Sequence, residues 1–324
     1  MARRLMCLGA VNVDLLYQVP DLSPFLEAWP GLSPGGEAAL APGEEARLQA
    51  LLARHGRAQG REAGGQAAHA ALALARMGLA AGLAGRVGAD PDGDFLRLSL
   101  AGVNLDGLVT AGASGRAYIL ADPGGGLITL AAPNTNNELG EADVPEEVLA
   151  RAAFLHLASF PGDGPLKVQT ALARRLHGGP RLTLDPGDFY ARRGHPALQE
   201  MLDQVETLLV TETQWGLLGG ETTRHPDWAP PIVLIKRGPR GVRMLTPARP
   251  GRLDFPAEPG GPPVDILAAG GVFAAGYLAG LYFKLHLAAA VRLAVKAAAY
   301  TLAVPGRRRY PDRKFLEDAI LELA

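Results

Sequence analysis

Cysteine is almost absent from this chain. Cys7 is the only one in 324 residues, so no internal disulfide can form and the fold must be held by burial. An excess of charge of either sign is also lacking, since 32 Lys and Arg stand against 33 Asp and Glu, for a formal net charge of −1. Such a balance argues for neither a nucleic-acid nor a membrane partner. The most basic run, Arg307 to Arg309, is short enough to be a solvated turn. A secretory leader is not evident: Arg3 and Arg4 pass directly into a short strand that cannot serve as a signal-peptide core, and a cytoplasmic protein is expected. One uncharged stretch, Ile266 to Phe283, is at the lower limit for spanning a bilayer, and Gly276 with Gly280 forms a GxxxG pair. It begins in a Gly/Ala turn and follows a Pro/Gly-rich segment. A buried central helix is the better reading.

What is present is an alternation of strands and helices. Leu5 to Leu8 reads as a first strand, followed by a turn over Gly9 to Asp14. Residues 18 to 63 are the least regular, although Leu48, Leu51, Leu52 and His55 at helical spacing predict a short amphipathic helix over Glu44 to His55. Gln66 to Met77 and Gly93 to Ala101 read as helices, with Ala81 to Val87 a strand between them. Ala117 to Ala121 and Leu127 to Ala131 read as a hairpin around a Pro-Gly-Gly-Gly turn. Beyond it, strands near 154–158, 182–185, 207–210 and 232–235 alternate with helices over 166–177 and 197–204, then a hairpin strand over 242–245. Such alternation without a linker predicts one α/β domain with a doubly wound, mostly parallel sheet and helices on both faces. Ligands of such sheets bind at the carboxyl ends of the strands.

Several motifs fall at those ends. GAVNVD, Gly9 to Asp14, offers an Asn and an Asp two residues apart, which supply donors and acceptors at a spacing suited to neighbouring hydroxyls. GGQAAHAALALARMG, Gly64 to Gly78, sets paired glycines before a helix, where backbone can approach a ligand, with His69 one turn in. His69 reads equally as a half-buried helix histidine. GRVGADPDG, Gly85 to Gly93, holds tight-turn glycines and an Asp90 placed to cap the next helix. DPGD (Asp185 to Asp188), TETQ (Thr211 to Gln214) and KRGPRG (Lys236 to Gly241) follow, the last also readable as an ordinary hairpin turn. Finally VDILAAGGVFAAG, residues 264 to 276, reads as a strand end, a turn of small residues, and a helix beginning at Gly271 or Val272. Such a turn gathers N–H groups around an anion at the positive end of the helix.

In this order and over nearly the whole chain, the motifs resemble those of the ribokinase-like (PfkB) carbohydrate kinase family. The resemblance implies a ribokinase-like fold, a single domain over 1–324, with a small β lid from approximately 15–63 and 108–131. It implies ATP and Mg²⁺ as cofactors and a small-molecule sugar or nucleoside as substrate. By matching positions, Asn12, Asp14, Gly64, Gly65 and His69 would bind the acceptor, with His69 standing where the family has Asn. Ala268, Ala269, Gly270 and Gly271 would form the anion hole, and Thr211, Lys236, Gly238 and Gly241 would lie beside the nucleotide. Two positions depart from the family's chemistry. The base, an Asp in the family's D-T-x-G-A-G-D, is Gly271 here, and the Glu that organises the metal's water shell is Gln214, so the metal ligands are unknown. Ala268 also puts a Cβ where the turn calls for positive φ.

Two functions follow from the resemblance. One is a kinase of weak or lost activity, in which water or a carboxylate such as Asp14 or Asp265 takes the proton, and in which Gly271→Asp would restore part of the rate. The alternative is a non-catalytic sugar- or nucleotide-binding pseudokinase with a sensing or scaffold role. The long segment between Asp14 and Gly64, with its helix, would cover the sugar site or make a homodimer contact.

Overall fold

The computed structural model describes residues 4–248, 251–259, 268–303 and 310–323. In chain order the first half holds β1 (Leu5–Leu8), β2 (Asn12–Gln18), α1 (Ser23–Ala28), β3 (Glu37–Ala39), α2 (Glu44–His55), β4 (Arg57–Gly64), α3 (Gln66–Arg76), β5 (Ala81–Val87), α4 (Pro91–Ser99), β6 (Asn104–Thr110), β7 (Gly115–Ala121) and β8 (Leu127–Ala132). The second half holds α5 (Glu146–Ala150), β9 (Phe154–Ala158), α6 (Asp163–Arg175), β10 (Arg181–Asp185), α7 (Gly187–Ala191), α8 (His195–Leu202), β11 (Thr207–Thr211), α9 (Glu212–Leu217), β12 (Ile232–Lys236), β13 (Val242–Leu245), β14 (Arg252–Phe255), α10 (Ala269–Tyr282), α11 (Leu287–Leu302) and α12 (Arg313–Leu323).

The strands form two sheets. The larger has the order β14-β13-β12-β11-β10-β9-β1-β5-β6, parallel from β6 to β12 and antiparallel at β13 and β14. Every residue of β1 is buried, without alternation, because both faces of the sheet are covered by helices. Leu5 and Cys7 face a core shared with α3, α10 and α11. Met6 and Leu8 face the other, shared with α6 and α8.

The smaller sheet runs β3-β8-β7-β2-β4. It corrects two sequence expectations. The turn after β1 is shorter than Gly9 to Asp14, since Asn12 already opens β2 and pairs with Gly64 of β4. Residues 18 to 63 are also more regular than their composition suggests. β4 was not legible because RAQGREAG lacks apolar alternation, and its first five residues are exposed along the sheet edge. The expected helix over Glu44 to His55 is present, and it packs into the small sheet's own core: Leu48 and Leu52 join Tyr118, Leu120 and Ile128 there, and Tyr118 Oη donates to Glu45 at 2.6 Å.

α10 is the buried central helix expected from its lack of charge, but it begins at Ala269 rather than at Gly271 or Val272. Its Gly276 and Gly280 lie against α11, where added Cβ atoms would come within 2.8 Å of Ala294 or Ala297 and 2.7 Å of Ala290. The GxxxG spacing thus serves helix packing inside the core. Among the described residues, no helix is long and apolar enough to cross a membrane. Asp265, Ile266 and Arg307 to Arg309 lie outside the described residues.

Candidate active site

The two sheets meet where β2 leaves β1. Asn136 stitches this junction: its Oδ1 accepts from Val11 N at 3.1 Å, while its Nδ2 donates to Val11 O at 3.0 Å and to Asn12 Oδ1 at 2.8 Å. Asn12, Asp14, Gly64 and Gly65 are brought together here. The Asp14 carboxyl lies across Gly64 so closely that a Cβ there would be 2.0 Å from it. At Gly65, φ is 99° and a Cβ would lie 2.1 Å from Ala10 O, so only glycine lets the start of α3 approach the β1–β2 turn. His69 follows one turn later, its N–H bonded to Gly65 O. It is 6% exposed, and its Nδ1 is 2.9 Å from Tyr310 Oη.

α10 starts beside this group. Ala268 is its N-cap, at φ 66° in the left-handed region, with no side-chain cap. The small turn therefore does take the positive φ expected of it, at the cost of a strained alanine. Gly271 faces α3: a Cβ on it would lie 2.6 Å from His69 Cβ, 2.8 Å from Gln66 O and 3.0 Å from Ala70 N. These are backbone and Cβ atoms that cannot swing aside. A carboxylate at position 271 would therefore require α3 and α10 to move apart.

Gly270 faces the other way. A Cβ on it would be 3.7 Å from Lys236 Nζ and 4.0 Å from Asp185 Oδ2. Lys236, at the end of β12, pairs with Asp185, at the end of β10, at 2.8 Å, the carboxylate side chain being 1% exposed. Thr211 is the register partner of Lys236 and caps α9, accepting from Gln214 N, while Gln214 Oε1 accepts from Thr211 N at 2.9 Å. Gln214 Nε2 donates to Asp188 at 3.0 Å. Its amide is thereby spent on a reciprocal cap and on the loop after β10. Glu212 is turned away and paired with Arg240. Gly238 has open space around it, whereas Gly241 is pressed against Phe255 O and the following backbone.

Sequence reading missed Glu37, Gln66 and Ser159, which meet around Gly187. Glu37 accepts from Asp188 N at 3.0 Å. Burial, and next the charge of Asp188, push its carboxyl up to about 7. Asn136 was also missed, although the polar run over residues 134–138 was its available signal.

The fit to a nucleotide is one-sided. The N-terminus of α10, whose N-cap Ala268 brings no capping side chain, suits a phosphate with Lys236 beside it. No cluster of three ligating side chains able to hold a metal ion occurs among the described residues.

A family model described as pfkB family carbohydrate kinase matches residues 44–312. The chain is 31% identical to the ATP-dependent ribose-1-phosphate kinase of Halopiger xanaduensis, over 79% of this chain and 85% of that protein. It is 27% identical to the cytidine kinase of Thermococcus kodakarensis, over 72% and 86%. Among solved structures, the adenosine kinase of Sinorhizobium meliloti superposes with a TM-score of 0.82 at 21% identity, over 100% of both chains. The ribokinase of Arabidopsis thaliana, complexed with ribose and ATP, gives 0.76 at 20% identity over 99% of each. These two likenesses establish a ribokinase-like α/β fold.

Proposed function

The chain belongs to the pfkB family of carbohydrate kinases, and from that premise we propose that it transfers a phosphoryl group, slowly, from ATP to a hydroxyl of a ribose-containing acceptor. The observation that carries this reading is the placement of the uncapped α10 N-terminus and Lys236 next to the Asn12, Asp14, Gly64, Gly65 and His69 group. Transfer of this kind depends mostly on positioning and charge stabilisation. ATP, when bound, would supply the phosphoryl group. The backbone of Ala268 to Gly271 and Lys236 hold the phosphates, and Thr211, Gly238 and Gly241 border the nucleotide. Asn12, Asp14 and His69 orient the acceptor.

The rate is expected to be low, because a general base contributes about 10²- to 10⁴-fold and Gly271 has no room for one. We propose further that both sheets act as one domain, the smaller as a lid, in the cytoplasm where ATP is available. A second reading, a non-catalytic sugar or nucleotide binder, is favoured by the same packing of Gly271 on His69.

An ADP-release assay with ATP and Mg²⁺ over ribose, ribose-1-phosphate, fructose, adenosine and cytidine, run beside calorimetric titration with ATP, separates the readings. Slow turnover with one acceptor supports the kinase. Binding without turnover supports the second reading, and absence of both removes both.

A further inference from the structure

The small sheet is held to the rest of the molecule differently along β4 and β7 and at its β3 edge. Along β4 and β7, Arg61 and Arg116 pair with Asp92 of α4 at 3.0 and 2.9 Å, and Ser114 Oγ donates to Asp90 at 2.6 Å. The opposite edge is β3, three residues paired with β8. It reaches the large sheet's loops through Glu37, which accepts from Asp188 N at 3.0 Å. Nearby, Arg192 donates to Gly31 O at 3.5 Å. Glu37 thus touches the start of α7, which follows β10, the strand that ends in Asp185, partner of Lys236.

The surroundings of this carboxyl are unusual. Gly187, at φ 51°, leaves the space it enters: a Cβ there would be 3.3 Å from Glu37 Oε1 and 2.5 Å from Ser159 Oγ. The titratable groups facing it are Asp188 and Asp185, both carboxylates, and the cation Arg192, which itself stands 3.6 Å from Asp188. Neutral Gln66, at the start of α3, and Ser159 complete the wall. An ionised third carboxylate here is penalised by desolvation and by two like charges. With a proton on its other oxygen the carboxyl still accepts the Asp188 N–H, more weakly than when ionised, and burial with the two like charges outweighs that difference.

We propose that Glu37 is a positioning residue for the reaction read above, docking the β3 edge of the lid onto the start of α7, just beyond the strand end that carries Asp185, through the bond it accepts from Asp188 N, and that this docking weakens as pH rises. The inference rests on that reading for its catalytic meaning, but its test does not. The sign follows from linkage. With the lid edge released, Glu37 returns toward 4.5, while docked it stands at about 7. Below the lower value both states carry the proton and docking has no pH dependence. Between the two values the released state has lost its proton and the docked state keeps it, so docking weakens as pH rises. Above the upper value the loss is complete and constant.

Hydrogen–deuterium exchange on the full chain without ligand, corrected for intrinsic rates, tests this at pH 5 and pH 8. In the wild type, amides of residues 37–39 and 188–191 should open at least tenfold more at pH 8. Glu37→Gln keeps an acceptor oxygen without the titration and should stay protected at both values. Glu37→Ala should be open at both. Amides of β4 and β7 should be unchanged in all three, which shows that the variants fold. A wild type flat across this range, or Glu37→Gln following the wild type, overturns the proposal. Where an acceptor is turned over, its KM should rise with pH in the wild type and not in Glu37→Gln, with kcat less affected. If no acceptor is found, exchange alone decides, so failure of the kinase reading remains distinct from failure of this one.

Discussion

The starts of α4 and α10 are both glycine-rich turns leading into a helix. At α4, Asp90 accepts from Gly93 N at 2.8 Å, from Ser114 N at 2.8 Å and from Ser114 Oγ at 2.6 Å. Burial of its carboxyl works against ionisation, but the bonds from Ser114 and Gly93 outweigh it and hold the group below the ordinary carboxylate range. The chain's own anion fills that helix end. At α10 the N-cap residue, Ala268, has no side chain that can cap the helix, and Lys236 stands beside Gly270. One glycine-rich turn is closed by its own capping side chain, and the other, among the described residues, is not. Resemblance of motif alone does not separate a structural turn from a ligand-facing one; the capping partner does.

Four substitutions probe this contrast, from the largest expected effect to the smallest. Lys236→Met leaves Asp185 buried without its cation, and breaking a buried pair in this way costs about 3–5 kcal/mol. Urea unfolding should show that loss, and calorimetry should show weakened ATP binding; a drop under about 1 kcal/mol would mean that the α10 end is not organised around this pair. Gly271→Asp forces α3 from α10, and overpacking of this kind costs about 1–3 kcal/mol. Its melting temperature should fall and ATP turnover should not recover. A variant that melts like the wild type and turns over faster would show that this helix end lacked only a carboxylate.

Asp90→Ala should cost about 1–2 kcal/mol, in the upper part of the range for a lost N-cap, while leaving ATP affinity unchanged. Weakened ATP binding in a folded Asp90→Ala protein would erase the distinction between the two turns. Ala268→Gly is the mildest change. It relieves a left-handed alanine, a strain of about 1–2 kcal/mol, and adds freedom to the unfolded chain that offsets much of the gain. Unfolding midpoints should rise by no more than about 1 kcal/mol equivalent, and a fall would mean that the Ala268 methyl is a packing group.

Much of the fold was legible from the sequence because its signals are local. β5, α3 and the 44–55 helix follow from periodicity and flanking glycines, and the cap at Asp90 follows from an Asp three residues ahead of Gly93. β4 was not legible because an exposed edge strand has no apolar face to mark it, and its order comes from pairing with β2. At the site, Asn12, Asp14, Gly64 and Gly65 could be named in advance from their motifs, and the structure brings them together. Glu37 could not be named. Its partner Asp188 is 151 residues away, and nothing in the surrounding Gly/Ala-rich segment distinguishes its carboxyl from any exposed glutamate.

The sequence by itself determined the alternation of elements, the absence of internal disulfides, the small residues at the start of α10 and the glycine at position 271. These follow from residue identity and from spacing within one element. Only the tertiary structure decided what those small residues face. Gly270 looks toward Lys236 and Asp185 and Gly271 toward His69, because one residue's step turns a helix by about 100° and packing of α10 between α3 and α11 sets the phase. Whether a missing carboxylate leaves an empty place or a filled one therefore depends on the distance between two helices, which is the sum of packing over the whole core.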